Sequence, residues 1–427
     1  MVDHKLDDVF GIARDVPLNY VVRTPVDGAL VNNLTRDRHL VVYGSSKQGK
    51  TSVRKYNLNP DEYVVVTCSN KWDLSGLLSA ILRETGFTVT QSQVRTASGT
   101  NKIDAKISGK LKTPVAEIGA SVGSSDAEAE TLETTEIALE LDPGDVNDTV
   151  RALSEISFEK YIVLEDFHYL PEETQIDFAV ALKALHENSS LTIIVVGVWL
   201  DENRLVQFNG DLSGRLITIN ADRWDDESLR EVINSGAELL NFQFGGGVVE
   251  QIISGSFSSV YVVQETCHRL CEESGLFSTQ PSQRQNVGAD LDVPEIIRSV
   301  VDADSARYTA FLEGFAAGFQ ATELEMFKYL AAAIVISSID DLQKGLHYSE
   351  IRKRINSLHP KGDALNAGNV TQALKSIGSL QSALRIKPIV LDYDQSKKRI
   401  GVVDKAFLIW LQYQQQSDLL ATLEVDV

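Results

Sequence analysis

The sequence predicts an α/β fold built on a parallel sheet, and three observations carry that expectation. Short apolar, β-branched runs alternate with helically periodic segments through the first half of the chain. One run, His39–Tyr43 (HLVVY), leads straight into a glycine-rich turn, and another, residues 160–165 (KYIVLE), meets two adjacent carboxylates, Glu165 and Asp166. The expected order is strand 39–43, a helix from Lys50, strand 62–67, helix 73–85, strand 160–165, helix 172–187, strand 191–198 and strand 215–220, as parallel strands with crossover connections require. Pro171, Glu172 and Glu173 mark the start of the 172–187 helix, with acids in its first turn.

At 427 residues the chain exceeds one ordinary core, and roughly 100–200 residues per domain predicts two to four domains. With 43% hydrophobic and 23% charged residues the composition is globular. No apolar run reaches the ~18 residues that span a bilayer. Met1, Val2, Asp3 and His4 lack the basic and apolar regions of a signal peptide, so a cytoplasmic protein without a membrane role is expected. The three cysteines, Cys68, Cys267 and Cys271, do not make a disulfide framework. Cys267, His268 and Cys271 cluster, yet no second ligand pair follows at metal spacing, which favours buried thiols on a helix. A net charge of −20 repels nucleic acid on average, so DNA contact has to come from a locally basic module.

The turn after His39–Tyr43 reads Gly44, Ser45, Ser46, Lys47, Gln48, Gly49, Lys50, Thr51. This is the Walker A pattern of a P-loop, and its chemistry explains the spacing. Glycines let the backbone turn tightly so that successive amides face phosphates, and the helix that starts near Lys50 adds its positive end. The main chain from Gly44 through Ser52 is expected to wrap ATP. Lys50 reaches the β- and γ-phosphates, and Thr51 gives its hydroxyl to Mg2+. A P-loop also needs an acidic strand end to hold the metal and polarise water. Glu165 is assigned to the magnesium and Asp166 to the attacking water, since adjacent carboxylates at a strand end call for a cation.

Together the loop, the acidic strand end and the order of elements resemble the AAA+ and STAND group of P-loop ATPases, on the branch with origin-recognition-like and archaeal-type ATPases. In that group the second motif usually reads Asp then Glu. Here the order is Glu165 then Asp166, which draws the water-orienting carboxylate back by one methylene and implies altered hydrolysis with binding intact. Residues 20–27 (YVVRTPVD) are similar to the adenine-side segment, which implies Val22 and Arg23 along the base. The resemblance places a γ-phosphate sensor after strand 191–198, where Trp199 does not fit; Asn203 is a substitute or a helix cap. Residues 209–217 are similar to the arginine-bearing segment of the group. That implies Arg215 as a finger to the nucleotide of a neighbouring subunit in a homo-oligomer, with an internal salt bridge to Asp211 as the alternative.

The implied organisation is an adenine-side segment (1–36), a nucleotide-binding core (37–222) with a β-rich insert (93–148), a helical lid (223–288), a linker or helical stretch (289–322) and a winged-helix domain (323–427). In the insert, residues 101–112 and 116–122 alternate with period two, and an acidic run follows at 126–141. Three amphipathic strands are expected, lysines of the first meeting acids of the last, with a structureless loop as the alternative. In the lid, the second-sensor arginine has no counterpart at residues 255–259, which resembles the STAND side, where ATP acts as a slow switch. From 324 to 411 the chain carries 13 Lys or Arg against 8 Asp or Glu. Lys397, Lys398 and Arg399 at the expected wing, and Lys375 on the third helix, would meet DNA, or the module would hold a partner protein.

Overall fold

The computed structural model describes residues 2–12, 15–95, 101–109, 135–320, 322–362 and 365–425. Five strands form the central sheet: β1 (His39–Tyr43), β2 (Tyr63–Thr67), β3 (Tyr161–Glu165), β4 (Ile193–Val196) and β5 (Leu216–Asn220). Their order is β2-β3-β4-β1-β5 and every neighbouring pair is parallel. Period two sorts the side chains into layers. Leu40 and Val42 pack with Val53 and Leu58 of helix α1 (Lys50–Asn57) and the residue after it. Val41 and Tyr43 face helices α2 (Leu74–Glu84), α3 (Val146–Glu155) and α4 (Glu172–Asn188). Covered on both sides, the central strands β1, β3 and β4 are apolar over most of their length, which is why they read as continuous runs.

β4 stops before the expected residue 198. The chain leaves the ladder at Gly197, where a Cβ would lie 1.7 Å from the Trp199 ring. That ring is fully buried and packs on Phe167. Helix α3 was not expected from the sequence; the Asp145 side chain caps it by accepting from Asn147 N–H.

The insert holds a three-stranded antiparallel sheet of Phe87–Arg95, Asn101–Gly109 and Thr135–Leu141. Its first strand starts six residues ahead of the expected boundary at 93, because Phe87 is a core residue beside Ala105 and Leu141. The expected strand 116–122 and most of the acidic run lie outside the described residues. Register sets Lys106 opposite Ala138, not opposite a glutamate.

The second half of the chain is helical around one apolar core. Helices α5 (Asp226–Leu239), α6 (Val248–Gly255) and α7 (Val260–Glu273) occupy the segment expected as a lid, with Cys267 and Cys271 buried on α7. Of the two alternatives for 289–322 the stretch is helical: α8 (Val293–Asp302) and α9 (Ser305–Ala317) bury Ile297, Phe311 and Phe315 in the core shared by the lid and the C-terminal unit. Leu6, Val9 and Phe10 of the N-terminal segment join that core, Phe10 packing where Gly236 has no side chain.

The C-terminal unit comprises α10 (Met326–Val335), α11 (Ile339–Lys344), α12 (Tyr348–Leu358), α13 (Ala367–Lys375) and α14 (Ile377–Ala383). A hairpin of Leu391–Asp394 and Arg399–Val402 takes Leu346–His347 on its edge, and two helices, Lys405–Gln412 and Gln416–Thr422, follow. The expected strand 384–393 is shortened to Leu391–Asp394, because a turn follows α14 at 384–385 and Pro388 has no N–H to give to a ladder. This unit is docked on the sheet. Leu200 N–H donates to Asp392 Oδ2 at 2.8 Å, Arg204 pairs with Asp392 at 3.2 Å, and Ser379 donates to Glu172 at 2.9 Å.

Candidate functional site

Parallel strands deliver their C-terminal ends to one edge of the sheet, and there β1 runs into the glycine-rich turn. Gly44 takes φ +142°, and a Cβ on it would sit 2.9 Å from Asp222 Oδ1, so only glycine fits. Gly49, at φ +77°, caps α1 in the left-handed region. Val53 N–H makes the first helical bond, to Gly49 O, so the amides just before it have no helical acceptor and are free for an anion.

The loop is held by a residue that the sequence did not single out. Asp222, just past β5, accepts from Ser45 N–H at 2.7 Å and Ser45 Oγ–H at 2.8 Å. Ser46 N–H donates to Val403 O of the C-terminal unit at 2.7 Å. Lys47 lies 3.7 Å over the Tyr261 ring and 3.6 Å from Asp304. Gln48 O accepts from the Trp224 indole at 3.4 Å. Lys50 lies across the turn, its Nζ donating to Ser45 O at 2.5 Å and Gly44 O at 3.2 Å. Burial lowers its pKa to about 8 against the pull of Asp222, Glu165 and Asp166. Thr51 is exposed at the cavity beside the loop and Ser52 lines the same wall.

That cavity, about 520 Å³, runs from the acidic strand end to the N-terminal segment. Val21 and Arg23 line it, whereas Val22 is 52% exposed and points away. In an extended segment neighbouring side chains face opposite sides, so the expectation for Val22 fails by one residue of phase. Arg23 is buried, 3.8 Å over the Trp224 ring, and gives one Nη to Ala221 O at 2.8 Å. A reciprocal amide pair, Asn19 with Gln264, ties this wall to α7. Arg23 Nε and Nη2, Gln48 Oε1 and His168 Nε2 are buried without a hydrogen-bond partner among the described residues, and all three residues line the cavity. Buried polar atoms are ordinarily satisfied, so four along one wall mark a surface shaped for a polar ligand.

On the acidic side, Glu165 ends β3 and its Oε1 accepts from Arg54 Nε of α1 at 2.9 Å. Burial raises its pKa, with Arg54 as the main counterweight. Asp166 follows at φ +59°, in the left-handed region that Asp tolerates. Burial raises its pKa too, opposed by Lys387 of the C-terminal unit and by Lys50. Glu165, Asp166, Lys50 and Thr51 thus meet on one cavity.

Arg215 lies elsewhere. Its carbonyl accepts from His39 N–H at the start of β1, the sheet edge opposite the loop. Its guanidinium pairs with Glu187 at 2.9 Å and with the Asp211 carbonyl; the Asp211 carboxylate pairs instead with Lys183 at 2.7 Å. The expected internal partner is therefore corrected to Glu187. Asn203 makes no side-chain cap and does not line the cavity. Asp222, Arg54, His168, Trp224 and Lys387 were missed, since each gains its position from a partner far along the chain.

No family model and no curated protein matches the chain. Among solved structures, a Walker-type ATPase of Pyrococcus abyssi matches with 12% identity over 95% of this chain and 99% of that one, at a TM-score of 0.50. The Orc1 protein of Aeropyrum pernix in complex with DNA matches with 12% identity over 98% and 97% at TM-score 0.42. Cdc6p of Pyrobaculum aerophilum matches with 10% identity over 98% of each chain at 0.38. Identities this low speak to architecture alone: with its loop at the carboxyl edge of β1 in a parallel sheet, the chain has the fold of the P-loop NTPases.

Proposed function

We propose that the chain is a Mg-ATP-binding P-loop ATPase of the AAA+ and STAND kind, working as a nucleotide-driven switch in a homo-oligomer. The observation that supports it most is the loop: a tight turn braced by Asp222, with Lys50 across it and a polar-walled cavity beside it. ATP would lie with its phosphates on the amides of Gly44–Thr51 and its base toward Val21, Arg23 and Trp224. Mg2+ fits the donor set, because a P-loop metal takes a hydroxyl, a carboxylate, phosphate oxygens and water instead of a full protein cage. Thr51 and Glu165 would hold it, and when bound it neutralises charge on the phosphates.

Within the chain, Lys50 orients the terminal phosphates and Asp166 holds the attacking water. Asp166 acts only when ionised, and Lys387 and Lys50 favour that form. Arg215 cannot reach the nucleotide of its own chain, so we assign it to a neighbour's γ-phosphate. The C-terminal unit meets the loop through Val403 O and Lys387, and Asp304 at the start of α9 meets it through Lys47, which supports a winged-helix module coupled to nucleotide state. Among its basic residues, Lys397 pairs with Asp394 and Arg399 donates to Gly345 O, both within the unit, and Lys375 lines the seam with the sheet; these three and Lys398 are exposed in the docked state. A DNA or protein partner would therefore meet this surface without undocking.

The pairing of Glu165 with Arg54 favours a second reading, a non-hydrolysing ATP-binding scaffold. Titration of fluorescent ATP with Mg2+ into wild type and Lys50→Ala tests the binding claim, and equal affinities would end it. Single-turnover hydrolysis by wild type and Asp166→Ala separates the readings: a mutation-sensitive rate excludes the scaffold. Light scattering with and without Mg-ATP, repeated on Arg215→Ala, reports assembly.

A further inference from the structure

We infer that His168 is the group that distinguishes ATP from ADP in this site, through a hydrogen bond from its Nε2–H to the terminal phosphate. The inference rests on the reading of the cavity as a nucleotide site and deepens it. His168 directly follows the Glu165, Asp166, Phe167 turn and is 95% buried, at 5% relative exposure. Its Nδ1 accepts from Val198 N–H at 3.2 Å, a bond that places the ring proton on Nε2 in the neutral imidazole. Burial, with Lys50, Arg204 and Lys387 nearby, keeps the ring neutral. His168 Nε2 has no acceptor among the described residues, an arrangement that is costly unless a ligand takes the proton.

The position suits the role. His168 lines the cavity together with Lys50, Thr51 and Asp166. The end of β4, where a polar sensor is expected, offers Val196, Gly197 and Val198 to that cavity and no polar side chain. Instead its backbone amide at Val198 fixes the imidazole tautomer, so the sheet supplies the sensor indirectly. A neutral donor also suits this place: beside Lys50 and Lys387 a further cation would be repelled, while a fixed N–H adds directional binding to a phosphate oxygen that ADP lacks.

His168 also lines a second cavity of about 270 Å³ at the seam with the C-terminal unit, where Gln175 Oε1 and Arg204 Nε are likewise without partners. If its proton served that seam, nucleotide discrimination would not depend on it. The test is direct binding of fluorescent ATP and ADP, each with Mg2+, to the full chain as wild type, His168→Phe and His168→Gln. The Phe variant keeps the ring volume and removes the donor; the Gln variant restores an N–H. The expected result is a loss of about 10- to 100-fold in ATP affinity for His168→Phe, with ADP within about twofold and partial recovery in His168→Gln. Equal loss for both nucleotides, or no loss, overturns the inference. Nitrogen-15 spectra of the wild-type histidines cover a Phe variant that fails to fold: the His168 Nε2–H signal should move with Mg-ATP and stay with Mg-ADP, and the reverse overturns the proposal. Lys50→Ala measured alongside separates the two levels. Unchanged affinity there defeats the nucleotide site itself, whereas loss there with an unselective His168→Phe defeats only the role of His168.

Discussion

Raising the pH from 7 to 9 should weaken ATP binding about tenfold, and Lys50 should be the reason. Its pKa in the free protein is about 8, so the ammonium is roughly nine-tenths protonated at pH 7 and one-tenth at pH 9. Phosphate contact favours the charged form, so the bound state keeps the proton and apparent affinity follows the protonated fraction of the free protein. Folding carries the opposite slope. The folded pKa lies below the ordinary lysine value of 10.5, so the unfolded chain binds more protons between about pH 8 and 10.5, and the Lys50 contribution to stability rises with pH there. The assay is fluorescent Mg-ATP titration from pH 6.5 to 9.5 on wild type and Lys50→Arg, with thermal melts of wild type and Lys50→Met across the same range. The guanidinium of Lys50→Arg stays charged throughout, so its affinity should be flat whatever its absolute value. A flat wild-type profile, or the same slope in Lys50→Arg, would refute the argument.

Arg54→Met leaves the half-buried Glu165 carboxylate without its hydrogen-bonded cation and should destabilise the fold by about 1–3 kcal/mol, with the double change Arg54→Met and Glu165→Leu recovering most of it; chemical denaturation of the variants decides. Asp222→Ala removes both acceptors that brace Ser45, so a stability loss of about 1–3 kcal/mol and weaker ATP binding are expected, measured by thermal melts and nucleotide titration.

The sheet was legible because its central strands are buried on both faces, so each appears as a largely apolar run with turn residues at its ends. The loop was legible because its chemistry is local: eight consecutive residues carry the turn, the amine and the hydroxyl. What failed needed a second coordinate. Val22 and Arg23 were placed together although extended backbone sends them to opposite sides, and only Arg23 carries the contact with Trp224. Glu165 was visible as a carboxylate at a strand end, but its partner Arg54 lies 111 residues away. Asp222 bonds Ser45 across 177 positions, and no spacing rule reaches that far. The insert boundary slipped because Phe87 reads as the close of a helix–strand connection until Ala105 and Leu141 are seen beside it.

Where the chain is weakly joined bears on how a switch could work. The lid, α8, α9 and the C-terminal unit share one continuous apolar core, so none of them can shift without disturbing the others. Against the sheet, by contrast, the C-terminal unit contributes a small apolar cluster in which Ile389 and Val403 meet Tyr169 and Val198. A few polar bonds supplement it, Ser46 to Val403, Arg204 to Asp392 and Ser379 to Glu172, and Lys47 pairs with Asp304 at the start of α9. The partly exposed Lys47–Asp304 pair contributes about 0.2–1 kcal/mol, neutral hydrogen bonds about 0.5–1.5 each and a bond to the buried Asp392 carboxylate about 1.5–3, so the polar part of the seam is worth a few kcal/mol. Inverting a two-state equilibrium from 1:99 to 99:1 takes about 5.5 kcal/mol of differential binding. Two of those bonds end on the loop itself, at Ser46 and Lys47, and Lys387 lies within electrostatic reach of Asp166. In the proposed switch, a change in phosphate charge at the loop would act on the joint whose strength is closest to what a nucleotide can supply, and the shared core would carry the displacement onward to the expected lid.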